Sequence, residues 1–488
     1  MLGAGGLLLA GAASAQAAAP NVIVIYTDDH GTLDVNCYGA PDLCTPNMDA
    51  LAASGVRFTQ FYAAPVSSAS RAGLMTGQFA SRAGLTGNAG WTGFPPEKET
   101  VAQRMKANGY RTACIGKWHL GSRPEYAPNN RGFDYFWGFL GGCIDSYSHF
   151  YYWGGPNVHD LWRNGEEIHC EGRFFTEETL REAKEFIRAG DRRQPFFLYW
   201  AVNIPHYPLQ PKEKWLDYYA GLPDPRRMYA AFVSTFDDYL GELRTFLDAQ
   251  GLTDDTIIVF QSDNGHSTEV RTFGGGGYCG DYRGGKFSLF EGGIRVPAVI
   301  SWPGHLPAGE VRDQVAMNID WFPTLLDLCG LDASGIDVDG ASIVPLIRDG
   351  AAASPHDVLH FDFERQWAVR RGDWKLICNA IDVLPNDRNK TLEGLYLTNL
   401  KIDRTESENL IDRYPEKAQE LLALARSCRH LVCVCDDLWR DGQDYDPWTE
   451  EYRRQLAGIC RKLAAEFDAV AEVICGLPQF YKHGKDVI

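Results

Sequence analysis

Beyond its first twenty residues the chain has no apolar run long enough to cross a bilayer as a helix, which predicts no membrane span. It lacks any excess of positive charge. Its 47 Lys and Arg are outnumbered by 64 Asp and Glu, for a formal net charge of −17. That balance excludes a protein built to hold nucleic acid or an anionic membrane surface. It leaves a small anionic substrate open, because a local cluster of cations and a metal can override the global field. Cysteines with metal-type spacing are also missing. The thirteen cysteines are scattered, and Cys433 and Cys435 stand too close together for a routine zinc site. An odd number leaves at least one of them outside any intramolecular pairing. Buried thiols acting as small hydrophobes are an equal reading. No internal repeat stands out, and the only low-complexity pieces are the N-terminal stretch and Gly274–Gly277.

What remains is the composition of a soluble globular protein, with 45% hydrophobic and 23% charged residues. A length of 488 residues predicts a large domain plus a smaller one. Residues 1–20 read as an export signal: Leu2–Ala13 is rich in Gly, Leu and Ala, and Ala15-Gln16-Ala17 offers a cleavage site. A basic start is not visible in it. The signal predicts a periplasmic or extracellular location. Residues 21–350 alternate strand and helix patterns, as a mostly parallel α/β sheet requires. Asn21–Tyr26, Tyr110–Ile115, Pro195–Asn203 and Thr256–Gln261 are the strand candidates. Thr45–Ser54 reads as a capped helix and Arg227–Gln250 as a long amphipathic one. Residues 351–488 read as a smaller α+β domain. Short strands are expected at Val358–Phe363, Trp367–Val369, Trp374–Cys378 and Leu395–Leu397, and helices at Pro415–Ser427 and Glu450–Ile474.

Polar clusters follow the predicted strands. Asp28-Asp29 comes directly after the first one, where open α/β sheets place ligands, and adjacent carboxylates repel without a cation. Ser67 and Arg71 are four apart and share a helical face, with Ser67 at the positive end of that helix. Lys117 and His119 are two apart and point the same way in extended chain, pairing a cation with a titratable imidazole. His206 follows the strand candidate Pro195–Asn203. Asp263 and Asn264 follow Thr256–Gln261 and are hard oxygen ligands suited to calcium or magnesium. Lys286 lies in Arg283-Gly284-Gly285-Lys286. A doubly wound sheet would carry most of these to one edge.

Taken in order, these motifs resemble the formylglycine-dependent sulfatases of the alkaline phosphatase superfamily. Ser67-x-Ala69-x-Arg71 with Leu74-x-Thr76-Gly77 is similar to that family's signature in its serine version. Asp28-Asp29, Thr45-Pro46-Asn47, Gly116-Lys117-x-His119, Asp263-Asn264-Gly265, Glu291–Pro297 and Ile319–Leu326 match in order and rough spacing. The resemblance implies an alkaline phosphatase-like fold with a small C-terminal domain. It implies that Ser67 is oxidised to formylglycine and hydrated to a gem-diol. The serine form points to a bacterial maturation enzyme of the anaerobic radical type. It implies one Ca²⁺ held by Asp28, Asp29, Asp263 and Asn264, with the modified Ser67 adding an oxygen. Phe287-Ser288-Leu289-Phe290 is bulkier than the family pattern and is a candidate to shape the pocket.

The chemistry implied is sulfate-ester hydrolysis. Ca²⁺, Arg71, Lys117 and Lys286 would neutralise the sulfate oxygens, a gem-diol oxygen would attack sulfur, His206 would protonate the leaving oxygen and His119 would act as base. A sulfated carbohydrate is the expected substrate, from host glycosaminoglycan, mucin or an algal glycan. Asp145, His149, Tyr151, Trp153 and Arg163 lie in the aromatic-rich stretch Gly141–Asn164, which suits a sugar ring, or equally a core. Asp362, Arg365 and Trp367 are further candidates from the second domain. Three rival readings stay open: a phosphodiesterase or phosphonate hydrolase of the same superfamily, a non-catalytic sulfated-glycan binder if Ser67 stays unmodified, and, weakest, a structural or adhesive role.

Overall fold

The structure, a computed structural model, describes residues 19–151, 157–426, 469–474, 477–483 and 486–487. Residues 1–18 of the expected signal, Trp153, Cys433 and Cys435 fall outside the described residues. Two compact units divide after Arg426.

In the larger unit, the first strand, β1 (Asn21–Thr27), is buried at every residue. Val22, Val24 and Tyr26 enter one hydrophobic cluster, and Ile23 and Ile25 enter another. An apolar run with period-two alternation into two cores is what a strand covered on both faces needs. Among the described residues nine further strands join it in one sheet. They are β2 (Val56–Phe58), β3 (Arg111–Lys117), β4 (Tyr135–Phe139), β5 (Trp162–Arg163), β6 (Glu166–Glu167), β7 (Phe196–Ala201), β8 (Thr256–Ser262), β9 (Ala298–Ser301) and β10 (Glu310–Arg312). Their order is β10-β2-β9-β8-β1-β7-β3-β4-β5-β6. The five central strands from β8 to β4 are mutually parallel. Antiparallel pairs flank them on both sides.

Register fixes where the strands end. Tyr26 faces both Gln261 and Ala201, and Ala201 faces Gly116. Residues that follow β1, β3, β7 and β8 therefore leave the sheet at one edge. Gly116 adopts φ 115°, and a Cβ there would sit 2.0 Å from the Ala201 carbonyl oxygen, so only glycine fits ahead of Lys117.

Helices cover the sheet. In α1 (Pro46–Ala53) proline takes the first turn, where its missing N–H costs nothing. In α2 (Ser67–Thr76) all ten residues are buried, which the small side chains of S-S-A-S-R-A-G permit. The long helix α3 (Arg226–Ala249) lays Tyr229, Phe232, Phe236, Leu240, Leu243 and Leu247 into one core.

The second sheet is antiparallel and four-stranded: β11 (Val358–Phe363), β12 (Gln366–Arg371), β13 (Trp374–Asp382) and β14 (Lys390–Asn399). Leu359, Phe361, Ala368 and Ile377 pack against Leu289, Phe290 and Ile294 of the main body. On the other face Val369, Leu376 and Leu397 meet Ala418 and Leu421 of α4 (Pro415–Arg426). The smaller unit shows three antiparallel strands, Ala469–Ile474, Leu477–His483 and Asp486–Val487. This corrects the end of the helix expected over Glu450–Ile474: Ala469–Ile474, with the β-branched Val470, Val473 and Ile474, forms a strand, and residues 450–468 lie outside the described residues. The eight described cysteines are all free thiols.

Glu291, from the Glu-Gly-Gly motif, welds the small sheet to the main body. Its carboxylate meets Lys375 Nζ at 2.8 Å and accepts the Tyr62 hydroxyl at 2.7 Å. Lys375 also reaches Glu406 at 2.7 Å, and the side chains of Lys375, Glu291 and Glu406 are fully buried. Burial raises the Glu406 carboxyl to about 7. Burial also acts on Glu291, but Lys375, Arg370 and Arg295 outweigh it and hold that group at about 2. Lys375→Ala leaves two carboxylates buried against each other, so it is expected to cost about 3–5 kcal/mol of stability. The deficit should shrink as pH falls and the stranded carboxyls take up protons. Urea unfolding of both proteins at neutral and acidic pH checks this; an unchanged midpoint at neutral pH contradicts it.

Candidate active site

The level strand ends carry Asp28 and Asp29 after β1, Lys117 and His119 at β3, His206 beyond β7, and Asp263 and Asn264 after β8. Helix α2 brings Ser67 and Arg71 to the same place, and Lys286 arrives from the loop after Gly284-Gly285. Each of these ten side chains belongs to a residue at most 8% exposed.

Arg71 is the hub. Its Nε donates to Ser67 Oγ at 2.9 Å, one turn back along α2. One terminal nitrogen donates to Tyr199 Oη and the other to Asp263 Oδ2, both at 2.9 Å. The latter nitrogen also lies 3.7 Å from Asp28 Oδ1. Lys117 Nζ holds Asp28 Oδ2 at 2.8 Å, and Lys286 Nζ holds Asp29 Oδ2 at 2.9 Å. The Asp29 amide donates to Asp263 Oδ1 at 3.0 Å, and Asn264 Nδ2 donates to Asp29 Oδ1 at 2.8 Å. Three carboxylates and three cations thus interlock in a space buried from solvent.

Two oxygens stay out of this lattice. Asp28 Oδ1 and Asn264 Oδ1 are buried and accept no hydrogen bond. Burial pushes the Asp28 carboxyl well above its usual range, despite Lys117. Burial also works against ionised Asp263, but Arg71 and Lys117 outweigh it and hold that carboxyl low. Ligand atoms of Asp28, Asp29 and His206 lie within 4.8 Å of one another. Hard oxygen donors with unsatisfied lone pairs fit a calcium-class cation.

The histidines sit on the open side. His206 Nδ1 donates to the Tyr207 carbonyl at 2.8 Å, which turns Nε2 inward, 3.5 Å from Lys286 Nζ and 3.7 Å from Asp29 Oδ2. His119 adopts φ 54°, so the chain is not extended there and simple alternation does not explain its aim. Ser68 fixes it instead: its hydroxyl donates to the His119 carbonyl at 2.7 Å and accepts from the Ala89 amide at 2.9 Å. A Cβ on Gly142 would lie 2.9 Å from His119 Nε2, so glycine makes room for the ring. Burial, then the nearby cations, push both imidazoles well below their usual range. Lys286 goes the other way: burial opposes its charge, but Asp29 and Glu269 prevail and keep it protonated.

Above this floor opens a cavity of about 1090 Å³, whose lining includes His119, His206 and Lys286. Trp91, Tyr151 and Trp162 supply aromatic faces, and Asn129, Asn130 and Asp160 supply polar edges. Phe287 lines it too, stacked on Phe363 at 5.9 Å, whereas Leu289 and Phe290 turn into the core under the small sheet.

Asp145, His149, Arg163 and Arg365 are not among the lining residues. Asp145 accepts from the Tyr147 and Ser148 amides and from Gln210, closing a turn. His149 is bound to the Arg173 carbonyl at 3.1 Å, and Arg163 pairs with Glu182 at 2.8 Å. Arg365 is exposed in the turn between β11 and β12. Asp362 borders a separate, much smaller pocket, and Trp367 packs toward the core beneath α4. Sequence reasoning missed Tyr199, hidden in an apolar strand, and Trp91, Glu269 and Arg271, which sit in loops without periodicity.

A buried anion pocket at the edge of a mixed, mostly parallel sheet, with a nucleophile candidate at a helix N-terminus, defines a hydrolase of charged esters. The family described as Sulfatase matches residues 20–331, and the one described as N-sulphoglucosamine sulphohydrolase, C-terminal, matches residues 284–423. The chain is 35% identical to N-acetylgalactosamine-6-sulfatase of Rattus norvegicus over 403 residues, covering 77% of this chain and 74% of that protein. Its structure is similar to that of Ps i-CgsB solved with k-i-k-neocarrahexaose, at TM-score 0.73 and 30% identity over 84% of this chain and 92% of that one. A Bacteroides thetaiotaomicron structure tied to the metabolism of multiple glycosaminoglycans matches at TM-score 0.69 and 25% identity, over 84% of this chain and 99% of that one. The chain belongs to the sulfatase family, with that family's alkaline phosphatase-like fold, and is a sulfuric ester hydrolase.

The histidine environment has a measurable consequence. The folded protein keeps the His119 imidazole neutral at pH values where the unfolded chain protonates it, near pH ~6.5. Below that point the unfolded state binds more protons, so this contribution to stability is full above pH ~6.5 and is lost as pH falls toward the depressed folded value. His119→Gln is expected to be less acid-sensitive than the wild type between pH ~7 and ~5. Melting temperature against pH for the two proteins checks this. Parallel profiles refute it.

Proposed function

We propose that this exported enzyme removes sulfate from a sulfated carbohydrate, using Ser67 after its oxidation to formylglycine and one Ca²⁺. The observation that carries the reading is the Arg71 lattice, which ties Ser67 Oγ to a carboxylate cluster where Asp28 Oδ1 and Asn264 Oδ1 accept no hydrogen bond. Asp28, Asp29, Asp263 and Asn264 would hold the cation, with an oxygen from position 67. That ion supplies positive charge against the sulfate oxygens. A hydrated formylglycine supplies an oxygen nucleophile and, by reverting to the aldehyde, a way to release sulfate. Its formation removes two hydrogens from Ser67 and calls for a maturation enzyme, expected to be of the anaerobic radical type.

The chain's own side chains do the rest. Arg71, Lys117 and Lys286 neutralise and orient the sulfate, worth most where water is excluded. Lys286 holds the proton nearest the leaving oxygen, and His206, with Nε2 turned inward, conveys it. His119, kept neutral, accepts a proton from the nucleophile's second oxygen. With the divalent cation added to three balanced ion pairs the floor would carry net positive charge for sulfate, and the cavity above exceeds the roughly 300–1,000 Å³ common for small-molecule sites. Trp91, Tyr151 and Trp162 offer flat apolar faces to sugar rings, and Asn129 and Asn130 offer hydrogen bonds to hydroxyls. The relatives named for N-acetylgalactosamine 6-sulfate and for a carrageenan-type oligosaccharide support a sulfated glycan as substrate.

Two measurements test this. Mass spectrometry of the Ser67 peptide from the native host is expected to show the loss of two hydrogens, and Ser67→Ala to lower sulfate release by roughly 10³-fold or more. Unmodified serine in fully active protein sinks the nucleophile assignment. Chelation is expected to abolish activity and lower the melting temperature. Readdition of Ca²⁺ at ~100 times its dissociation constant should return about 2.7 kcal/mol of stability. Full activity with no metal found by elemental analysis refutes the calcium site.

A further inference from the structure

We infer that His159, His169 and Glu171 form a second metal site, for a borderline divalent cation of the zinc class, beside the wall of the substrate cavity. The site begins in a hairpin. Strands β5 and β6 are joined through Asn164 and Gly165, both with positive φ (50° and 86°), the geometry of a two-residue I′ turn. Trp162 pairs with Glu167, and the Ile168 amide bonds the Leu161 carbonyl at 2.9 Å. Beyond that pair the two arms bring the rings of His159 and His169 together, one residue out of the hairpin register. Their rings stack at 4.3 Å, and ligand atoms of His159, His169 and Glu171 lie within 4.8 Å of one another.

The protonation pattern suits a metal. Glu167 Oε1 accepts from His159 Nδ1 at 2.8 Å, which fixes the tautomer and leaves the lone pair on Nε2. That Nε2 is buried, on a residue 8% exposed, and has no hydrogen-bond partner. A buried acceptor without a partner costs free energy unless something binds it. Glu171 likewise sits 2.9 Å from His169 Nδ1. That separation is one a cation could span by replacing the proton the two atoms share, so His169 Nδ1 and Glu171 Oε1 are the ligand atoms. Two imidazole nitrogens and one carboxylate oxygen select zinc-class ions over calcium, and three protein ligands leave a position for water. His169 and Glu171 are exposed, so an ion can enter from solvent. His159, Asp160 and Trp162 all line the cavity, so an ion here would clamp the arm that carries them.

The site is independent of the sulfate pocket and is tested without turnover. Calcium-loaded full-length protein, stripped of transition metals, is titrated with Zn²⁺ by calorimetry and, in parallel, with Co²⁺ by visible absorption. The wild type is expected to bind one Zn²⁺ with a rise in melting temperature, and to give Co²⁺ bands of a low-coordinate nitrogen–oxygen site. His169→Ala and Glu171→Gln change exposed side chains, so both should fold as the wild type does. Each is expected to weaken Zn²⁺ by at least about tenfold and to lose the thermal gain. No Zn²⁺ bound by the wild type overturns the proposal. So does either variant binding as tightly as the wild type.

Discussion

Charge held away from water is the constraint on which the rest of this structure depends. Asp28, Asp29 and Asp263 would be prohibitively costly to bury alone, and so would Arg71, Lys117 and Lys286. Interlocked, each supplies the other's missing solvation. The lattice works only if six side chains from five chain segments arrive within hydrogen-bonding distance. That demand explains the rigid surroundings: parallel strands in strict register, a glycine of unusual φ before Lys117, and a helix of small residues beneath Ser67. The same low dielectric that makes the lattice costly makes each of its charge contacts strong.

Polar bonding extends well behind the reacting groups. Tyr26 Oη meets Ser70 Oγ at 2.7 Å, and Asn318 donates to the Ser70 carbonyl at 2.7 Å, so α2 is held along its length. Gln261 links Tyr26 to the Trp321 indole. These contacts place Asn318 and Trp321, beside and within the Ile319–Leu326 motif, as support for α2 rather than as substrate contacts. Glu291 has the corresponding duty for the small sheet. Much of what looks like a catalytic signature is therefore the frame that aims Ser67.

How far the sequence was legible follows from how local each signal is. A buried parallel strand announces itself by a run such as V-I-V-I, and a polar pair straight after it marks the sheet edge. Hence Asp28, Asp29, Asp263 and Asn264 could be found before any fold was known. Lys117 and His119 were found for a partly mistaken reason, since the chain turns left-handed at His119 and a serine hydroxyl steers it. Aromatic composition served less well. Asp145, His149 and Arg163 stand in an aromatic-rich stretch, but turn closure and ion pairing engage them away from the cavity. Trp91 belongs to a loop whose placement depends on long-range packing that no local pattern records. Ala469–Ile474 was expected to be the end of a helix because six residues of mixed Ala, Val, Glu and Ile fit either period.

One feature of α2 carries a consequence for biosynthesis. Ser67 is 1% exposed, at the start of a helix whose ten residues are all enclosed. An enzyme that alters this side chain cannot reach it in the finished protein without opening the sheet edge. The proposed oxidation would therefore have to meet the chain before β1 and β8 close over it. Oxidation and folding would then compete in time, and chains made faster than a modifying enzyme could serve them would fold around an ordinary serine.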